Sequence, residues 1–265
     1  MRKSGALTIC IDPRPLNASR KKERYPLPVL EDILLGLSKA RVFSTVDLKS
    51  GYWHCVLAPE SSLLTTFATP YGRCRWCRLP FGLSASSEIF QKHFNHALEN
   101  LPGVLCIAED ILICGTGETD EEATVSHDRN LPQLLQRCID RGIALSPEKM
   151  KLRMKEVTFI GHLLASKGLK PDPVKLEAVT KMPRPQDIES VQRLNGFVNC
   201  LAKFLPKLSE VMEPIHRLTR KDTPWHWSTE QDKVFETVQK LVTEASVLYH
   251  YSPGNELMQA RVASE

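Results

Sequence analysis

The stretch "VLCIAEDILIC", residues 104–114, decides how this chain is read. Two adjacent carboxylates, Glu109 and Asp110, sit between short runs of Val, Leu and Ile. Apolar residues on both sides predict burial, and burying two like charges together is costly unless a cation compensates. Two apolar runs flanking "AED" predict a β-hairpin with the acids at its tip. Consecutive strand residues point to opposite faces, so neighbouring acids serve one site only where the backbone turns. A hairpin tip supplies that turn.

The surrounding chain is that of an ordinary globular protein. It has 265 residues, enough for one large domain or two modest ones, with 42% hydrophobic and 25% charged residues. The net charge of +4 and pI near 8.6 tolerate a nucleic-acid partner without demanding one. No apolar run approaches the roughly 20 residues needed to cross a bilayer. The basic N-terminal "MRKSGALTICIDPRP" has too short an apolar stretch for a signal peptide. An intracellular location, cytoplasmic or nuclear, with reduced thiols is therefore expected for the eight cysteines. Cys74 and Cys77 in "CRWC" have metal-like spacing, but no second pair completes a tetrahedral zinc site.

Working outward, "LTICID" (7–12) reads as a short strand that Pro13, Pro15 and Asn17 break into a loop, followed by the basic run "SRKKERY" (19–25). "PLPVLEDILLGLSKA" (26–40) carries Leu30, Ile33, Leu34 and Leu37 at helical spacing. "RVFSTVDL" (41–48) predicts a strand ending at Asp47. "SEIFQKHFNHALEN" (87–100) predicts a helix with Ile89, Phe90, Phe94, Ala97 and Leu98 on one side. The segment 126–150 predicts a helix ended by Gly142 and followed by a short strand. "VTFIGHLLASKGLKPDP" (157–173) predicts one hairpin turning near Lys167-Gly168. From 174 onward the texture changes to helices separated by prolines, which puts a boundary near 170.

If the strand ending at Asp47 neighbours the acidic hairpin, three carboxylates converge at one sheet end. Divalent metal is the simplest way to hold them there. Two ions about 3.5–4 Å apart are how polymerases and nucleases stabilise both the attacking and the leaving oxygen of phosphoryl transfer. The plainer alternative is that Asp47 caps a turn and Glu109-Asp110 form a polar hairpin loop.

The chain resembles the reverse transcriptase of gypsy-type LTR retrotransposons. The resemblance is carried by "ICIDPRPLN" (9–17), "RYPLPVLEDIL" (24–34), "FSTVDLKSGYWHCVL" (43–57), "TTFATPYGRCRWCRLPFGLSASSEIFQ" (65–91), "CIAEDILI" (106–113), "HDRNL" (127–131), "LSPEK" (145–149), "FIGHLLASKGLKPDPVKL" (159–176) and "LNGFVNCLAKFLPKLSEVMEPIHRLT" (194–219). It implies an α+β fold: a right-hand polymerase palm with partial fingers over 1–156, a primer-grip-like hairpin over 157–173 and a mainly helical thumb or connection over 174–245. Residues 246–265 would be a truncated lead-in to an RNase H-like domain. The implied activity is template-directed addition of deoxynucleotides to a primer 3′-hydroxyl, in a larger polyprotein with RNase H and integrase. The implied partners are an RNA or DNA template with its primer and deoxynucleoside triphosphates, with no membrane.

The resemblance also assigns residues. Asp47, Glu109 and Asp110 occupy the catalytic acid positions that bind two Mg²⁺, with Mn²⁺ as the alternative ion. Lys3, Arg14, Asn17, Tyr52, Phe81 and Gly82 fall on the nucleotide side. Tyr52 would reject a 2′-hydroxyl sterically, although a half-buried packing tyrosine has the same sequence appearance. Ser84, Gln91, Gly161 and His162 fall on the primer and template side. The basic run over 20–24 would lie near template phosphates or be a solvated loop. The chain departs from the family pattern at Glu109, where the family has aspartate, and at Thr8, where it usually has arginine. An added methylene at Glu109 disturbs a site in which errors near 1 Å cost on the order of a hundredfold in rate. An impaired polymerase is the expectation, and a catalytically inactive nucleic-acid-binding remnant or non-functional retroelement fragment is the second reading.

Overall fold

The β-branched run ending at Asp47 forms strand β1 (Ala40–Asp47), and the opening stretch forms β4 (Val104–Ile107) and β5 (Asp110–Thr116). Between them lie the short ribbon β2 (Phe67–Thr69) and β3 (Gly72–Cys74), and after them β6 (Lys151–Met154). The structure, a computed structural model, describes residues 10–19, 25–29, 34–205, 207–220, 224–244 and 248–249. The chain divides into two compact units, Met1–Lys155 and Glu156–Glu265. The texture change near residue 170 therefore falls inside the second unit.

In the first unit the helices are α1 (Arg14–Ser19), α2 (Pro59–Leu63), α3 (Ser86–Ala97) and α4 (Asp120–Arg141). The main sheet has the antiparallel order β4-β5-β1-β6. With α3 between β1 and β4, and α4 between β5 and β6, this is the split β-α-β-β-α-β arrangement. β5 is central and buried over Ile111–Gly115. Its Ile111 and Ile113 meet Phe90 and Phe94 of α3 and Leu134 of α4 in one apolar cluster. Truncating a fully buried ring such as Phe94 to Ala costs ~3–5 kcal/mol in such a core. Close approach of α4 explains Gly115: a Cβ there would lie 2.0 Å from the Ala123 carbonyl oxygen. A buried polar link ties the same layers. Ser44 Oγ accepts from the Arg153 backbone N–H at 2.9 Å and lies 2.7 Å from His127 Nε2. On its other side His127 Nδ1 lies 3.2 Å from Asp128 Oδ1, so both ring nitrogens have a polar neighbour.

Several elements differ from expectation. Residues Cys10–Asp12 are not a strand, and "RPLNAS" is helix α1, not loop. Pro13 and Pro15 suit that helix start, where backbone N–H groups need no partner. Over the expected helix 26–40, Tyr25–Val29 is not helical, Leu34 is α-helical and Leu35–Leu37 is a 3-10 turn. Pro26 and Pro28 each push the preceding residue out of the helical region; residues 20–24 and 30–33 lie outside the described residues. Helix α4 begins six residues before position 126, because Thr119 accepts from the Glu122 N–H and Asp120, Glu121 and Glu122 fill its first turn. It ends at Gly142, in the left-handed region, as expected.

In the second unit, residues 157–173 form two turns in place of one. Strands β7 (Glu156–Phe159), β8 (His162–Ala165) and β9 (Gly168–Lys170) make a meander, with β10 (Leu248–Tyr249) beside β9. The helices are α5 (Pro173–Thr180), α6 (Ile188–Leu201), α7 (Leu208–Arg217) and α8 (Thr229–Thr243). Val191, Leu194, Val198 and Leu201 recur at helical spacing and form the buried face of α6.

Candidate active site

The register of β1 against β5 places Asp47 directly opposite Asp110. Like charges opposed across a ladder repel. Burial first, and then the neighbouring Asp47, push the Asp110 carboxyl above its ordinary range, while Lys149 opposes both. Lys149 comes from the turn Pro147–Lys149 before β6, and its Nζ donates to Asp47 Oδ2 at 2.8 Å. Asp47 is mostly buried, with 17% of its side chain exposed. The nearby Cys106 thiol is pushed up to about 12, chiefly by burial, and so stays protonated at neutral pH.

Glu109 takes a different direction. The tip of the β4–β5 hairpin is Ala108-Glu109, with Ala108 in the left-handed region at φ 50°. The Glu109 carbonyl accepts from Leu48 N–H at 2.9 Å. Its side chain lies against the turn Gly51–His54: a Cβ on Gly51 would meet Glu109 Cγ and Oε1 at 2.8 Å and Phe90 Cζ at 3.0 Å. Among the described residues, no three His, Cys, Asp or Glu side chains are grouped so as to hold a metal ion. The structure brings Asp47 and Asp110 together and leaves Glu109 outside that pair.

The tip is braced from α3. Gln91, fully buried, donates from Nε2 to the Cys106 carbonyl and to Asn95 Oδ1, both at 2.8 Å, and its Oε1 accepts from Ala108 N–H at 2.8 Å. Gln91 is therefore a positioning residue for the hairpin. Tyr52 packs its ring 4.7 Å from Phe81 and 5.1 Å from Phe90, with its hydroxyl 2.8 Å from Ser87 Oγ. Asn17 clamps the segment after β3: its Nδ2 donates to the Gly82 carbonyl at 3.0 Å and its Oδ1 accepts from Ser84 N–H at 2.9 Å. Gly82, at φ 104°, has no room for a Cβ, which would fall 2.1 Å from the Ile11 carbonyl oxygen. Arg14 is exposed and pairs with Asp12 at 3.0 Å. Lys3 and Thr8 lie outside the described residues. Gly161 and His162 belong to the second unit, where Lys175 Nζ donates to the Gly161 carbonyl at 2.7 Å.

The opposed Asp47–Asp110 pair, offset only in part by Lys149, fits a divalent cation, because paired hard oxygen donors are what such an ion binds. Glu109 in its present seat does not fit as a third ligand. The sequence signal for Lys149, within "LSPEK", is the need of two buried acids for a cation.

For the fold, the foamy viral protease–reverse transcriptase in complex with double-stranded DNA superposes with a TM-score of 0.80, at 24% identity, over 91% of this chain and 42% of that one. The same viral protein in complex with an RNA/DNA hybrid gives 0.80 at 24% identity, over 90% of this chain and 32% of that one. For the family, residues 6–164 match the profile described as "Reverse transcriptase (RNA-dependent DNA polymerase)", and the chain belongs to that family. The enzymatic polyprotein of cauliflower mosaic virus (strain Strasbourg) is 29% identical over 100% of this chain, which spans 38% of that polyprotein's length. The Pol polyprotein from transposon 412 of Drosophila melanogaster is 30% identical over 91% of this chain, covering 19% of its own length. No described helix is long and apolar enough to cross a membrane.

Proposed function

We propose that this chain carries the polymerase function of its family: RNA-directed DNA synthesis in a gypsy-type LTR retroelement, by addition of deoxynucleotides to a primer 3′-hydroxyl. The observation that carries the reading is the pair Asp47 and Asp110, opposed across two strands at one sheet end with Lys149 beside them. Mg²⁺ bound there, as two ions, would stabilise charge on the attacking and leaving oxygens. Asp47 and Asp110 would hold it, and Glu109 would have to leave the surface of Gly51 to join them. Tyr52, fixed by Phe81, Phe90 and Ser87, would present a rigid wall to the incoming sugar. Asn17 would keep the Phe81–Ser84 segment in place beside it. In this reading residues 1–156 act as palm and partial fingers, 157–173 as the primer-grip hairpin with Gly161 and His162, and 174–245 as thumb.

Mg²⁺-dependent primer extension on an RNA template tests the proposal with three proteins: the parent, Glu109→Asp and Asp47→Ala. Extension that is raised by Glu109→Asp and lost in Asp47→Ala is the expected result. Silence in the parent and in Glu109→Asp, with primer–template still bound, would leave the remnant reading standing.

A further inference from the structure

A wide cavity of the first unit lies outside the acidic site. It encloses about 970 Å³ and is open to solvent, at the upper end of the ~300–1,000 Å³ typical of ligand clefts. Its walls come from the Gly51–His54 turn, the segment after β3 and the ends of α3 and α4, and they include none of Asp47, Glu109 or Asp110. Among the described residues, no aspartate or glutamate lines it.

Its chemistry is cationic and aromatic. Arg75, Arg78 and Arg141 line it and are exposed. None of the three has a carboxylate partner among the described residues. Trp53 and Trp76 stand with ring centroids 6.3 Å apart, and Trp53 is 40% exposed. Trp76 is fixed through its backbone, whose N–H donates to Thr65 Oγ1 at 3.0 Å and whose carbonyl accepts from Ser62 Oγ. Its indole Nε1 is buried with no hydrogen-bond partner among the described residues.

The wall beneath is equally fixed. His54 Nε2 accepts from Ala144 N–H at 2.9 Å, so its proton sits on Nδ1 and goes to the Gly51 carbonyl, also at 2.9 Å. His54 is thus a locked part of the wall. Planar rings that accept a base, beside guanidinium groups free to take phosphate, are the two elements of sequence-tolerant single-strand binding.

We propose that this cleft binds a single-stranded nucleic-acid segment, with bases on Trp53 and Trp76 and phosphates on Arg75, Arg78 and Arg141. The site is independent of the polymerase reading and needs no metal. A fluorescein-labelled single-stranded DNA of about 12 nucleotides is therefore titrated in EDTA, with blunt duplex DNA present at saturation to occupy any duplex cleft. The expected result is retained binding with quenching of tryptophan fluorescence. Trp53→Ala weakens it by about 5- to 100-fold. The double variant Arg75→Ala/Arg141→Ala lowers the slope of log K against log salt by about 1.4, with the melting temperature and duplex affinity unchanged. The proposal is overturned if duplex DNA competes the strand away, or if the variants bind with parental affinity and slope. It is equally overturned if deoxythymidine monophosphate or a polyglutamate peptide binds as tightly as the strand.

Discussion

Two tight hairpins, one in each unit, are built alike and supported differently. Each turns through two residues, Ala108-Glu109 in the first unit and Ile160-Gly161 in the second, and each puts a non-glycine residue in the left-handed region, at φ 50° and 46°. The first is held by a buried glutamine on a packed helix through two bonds to the tip's backbone. The second is held by a lysine side chain reaching the Gly161 carbonyl. A buried amide has no water to fall back on, whereas a half-exposed carbonyl exchanges its partner for water at little cost. The acidic hairpin is thus the more firmly braced of the two.

The largest expected effect comes from removing that brace. Gln91→Leu takes the buried partner from the part-buried Ala108 N–H and Cys106 carbonyl, at ~1–3 kcal/mol in chemical denaturation. If extension activity depends on the tip's position, it falls by about a hundredfold in the same variant. By contrast, Lys175→Ala costs ~1 kcal/mol or less in the same assay. An equal loss in the two variants would erase the distinction between the hairpins.

A smaller effect, of opposite sign, is expected at Ile160. A β-branched residue in the left-handed region is strained by ~1–2 kcal/mol. Ile160→Gly relieves that strain, less the added chain entropy of glycine, for a net gain of about 1 kcal/mol. Calorimetry of the chain then shows a melting temperature raised by ~2–4 °C. A lowered one would mean that the Ile160 side chain contributes packing the turn cannot lose.

The smallest effect concerns pH. The native state holds the Asp110 proton more tightly than the unfolded chain does, because its carboxyl is raised above 3.8 by burial and by Asp47. Stability from this group is therefore greatest in acid, and declines as pH rises from the unfolded value through the higher folded one. Asp110→Asn removes that decline, so at neutral pH and without metal the variant melts above the parent. Identical melting curves across that range would show that Asp47 and Asp110 do not oppose each other.

Much of this was legible in the sequence. Periodicity marked α3, α4, α6 and the strands around the acids, because burial on one side imposes it. Helix α1 was hidden by prolines that suit a helix start as well as a loop. The Ile160-Gly161 turn was hidden because isoleucine carries no turn signal, while Lys167-Gly168 does. For the site, the opposition of Asp47 and Asp110 followed from two strand ends. Gln91 had a readable signal that went unused: it shares a helical face with Phe94 and Leu98, and a polar residue in an apolar stripe must be hydrogen-bonded. The direction of Glu109 was not readable, since a side chain at a hairpin tip is placed by whatever leaves it room, here Gly51.

The central claim is that the opposed aspartates, without Glu109, make the cation site. Mn²⁺ titration followed by electron paramagnetic resonance tests it on the parent, Asp110→Asn and Glu109→Gln. The account predicts that Asp110→Asn loses the bound signal, while Glu109→Gln keeps it with affinity within about threefold of the parent, since only a change at a ligand takes a carboxylate charge from the ion. Loss of the signal in Glu109→Gln to the same extent as in Asp110→Asn would contradict it.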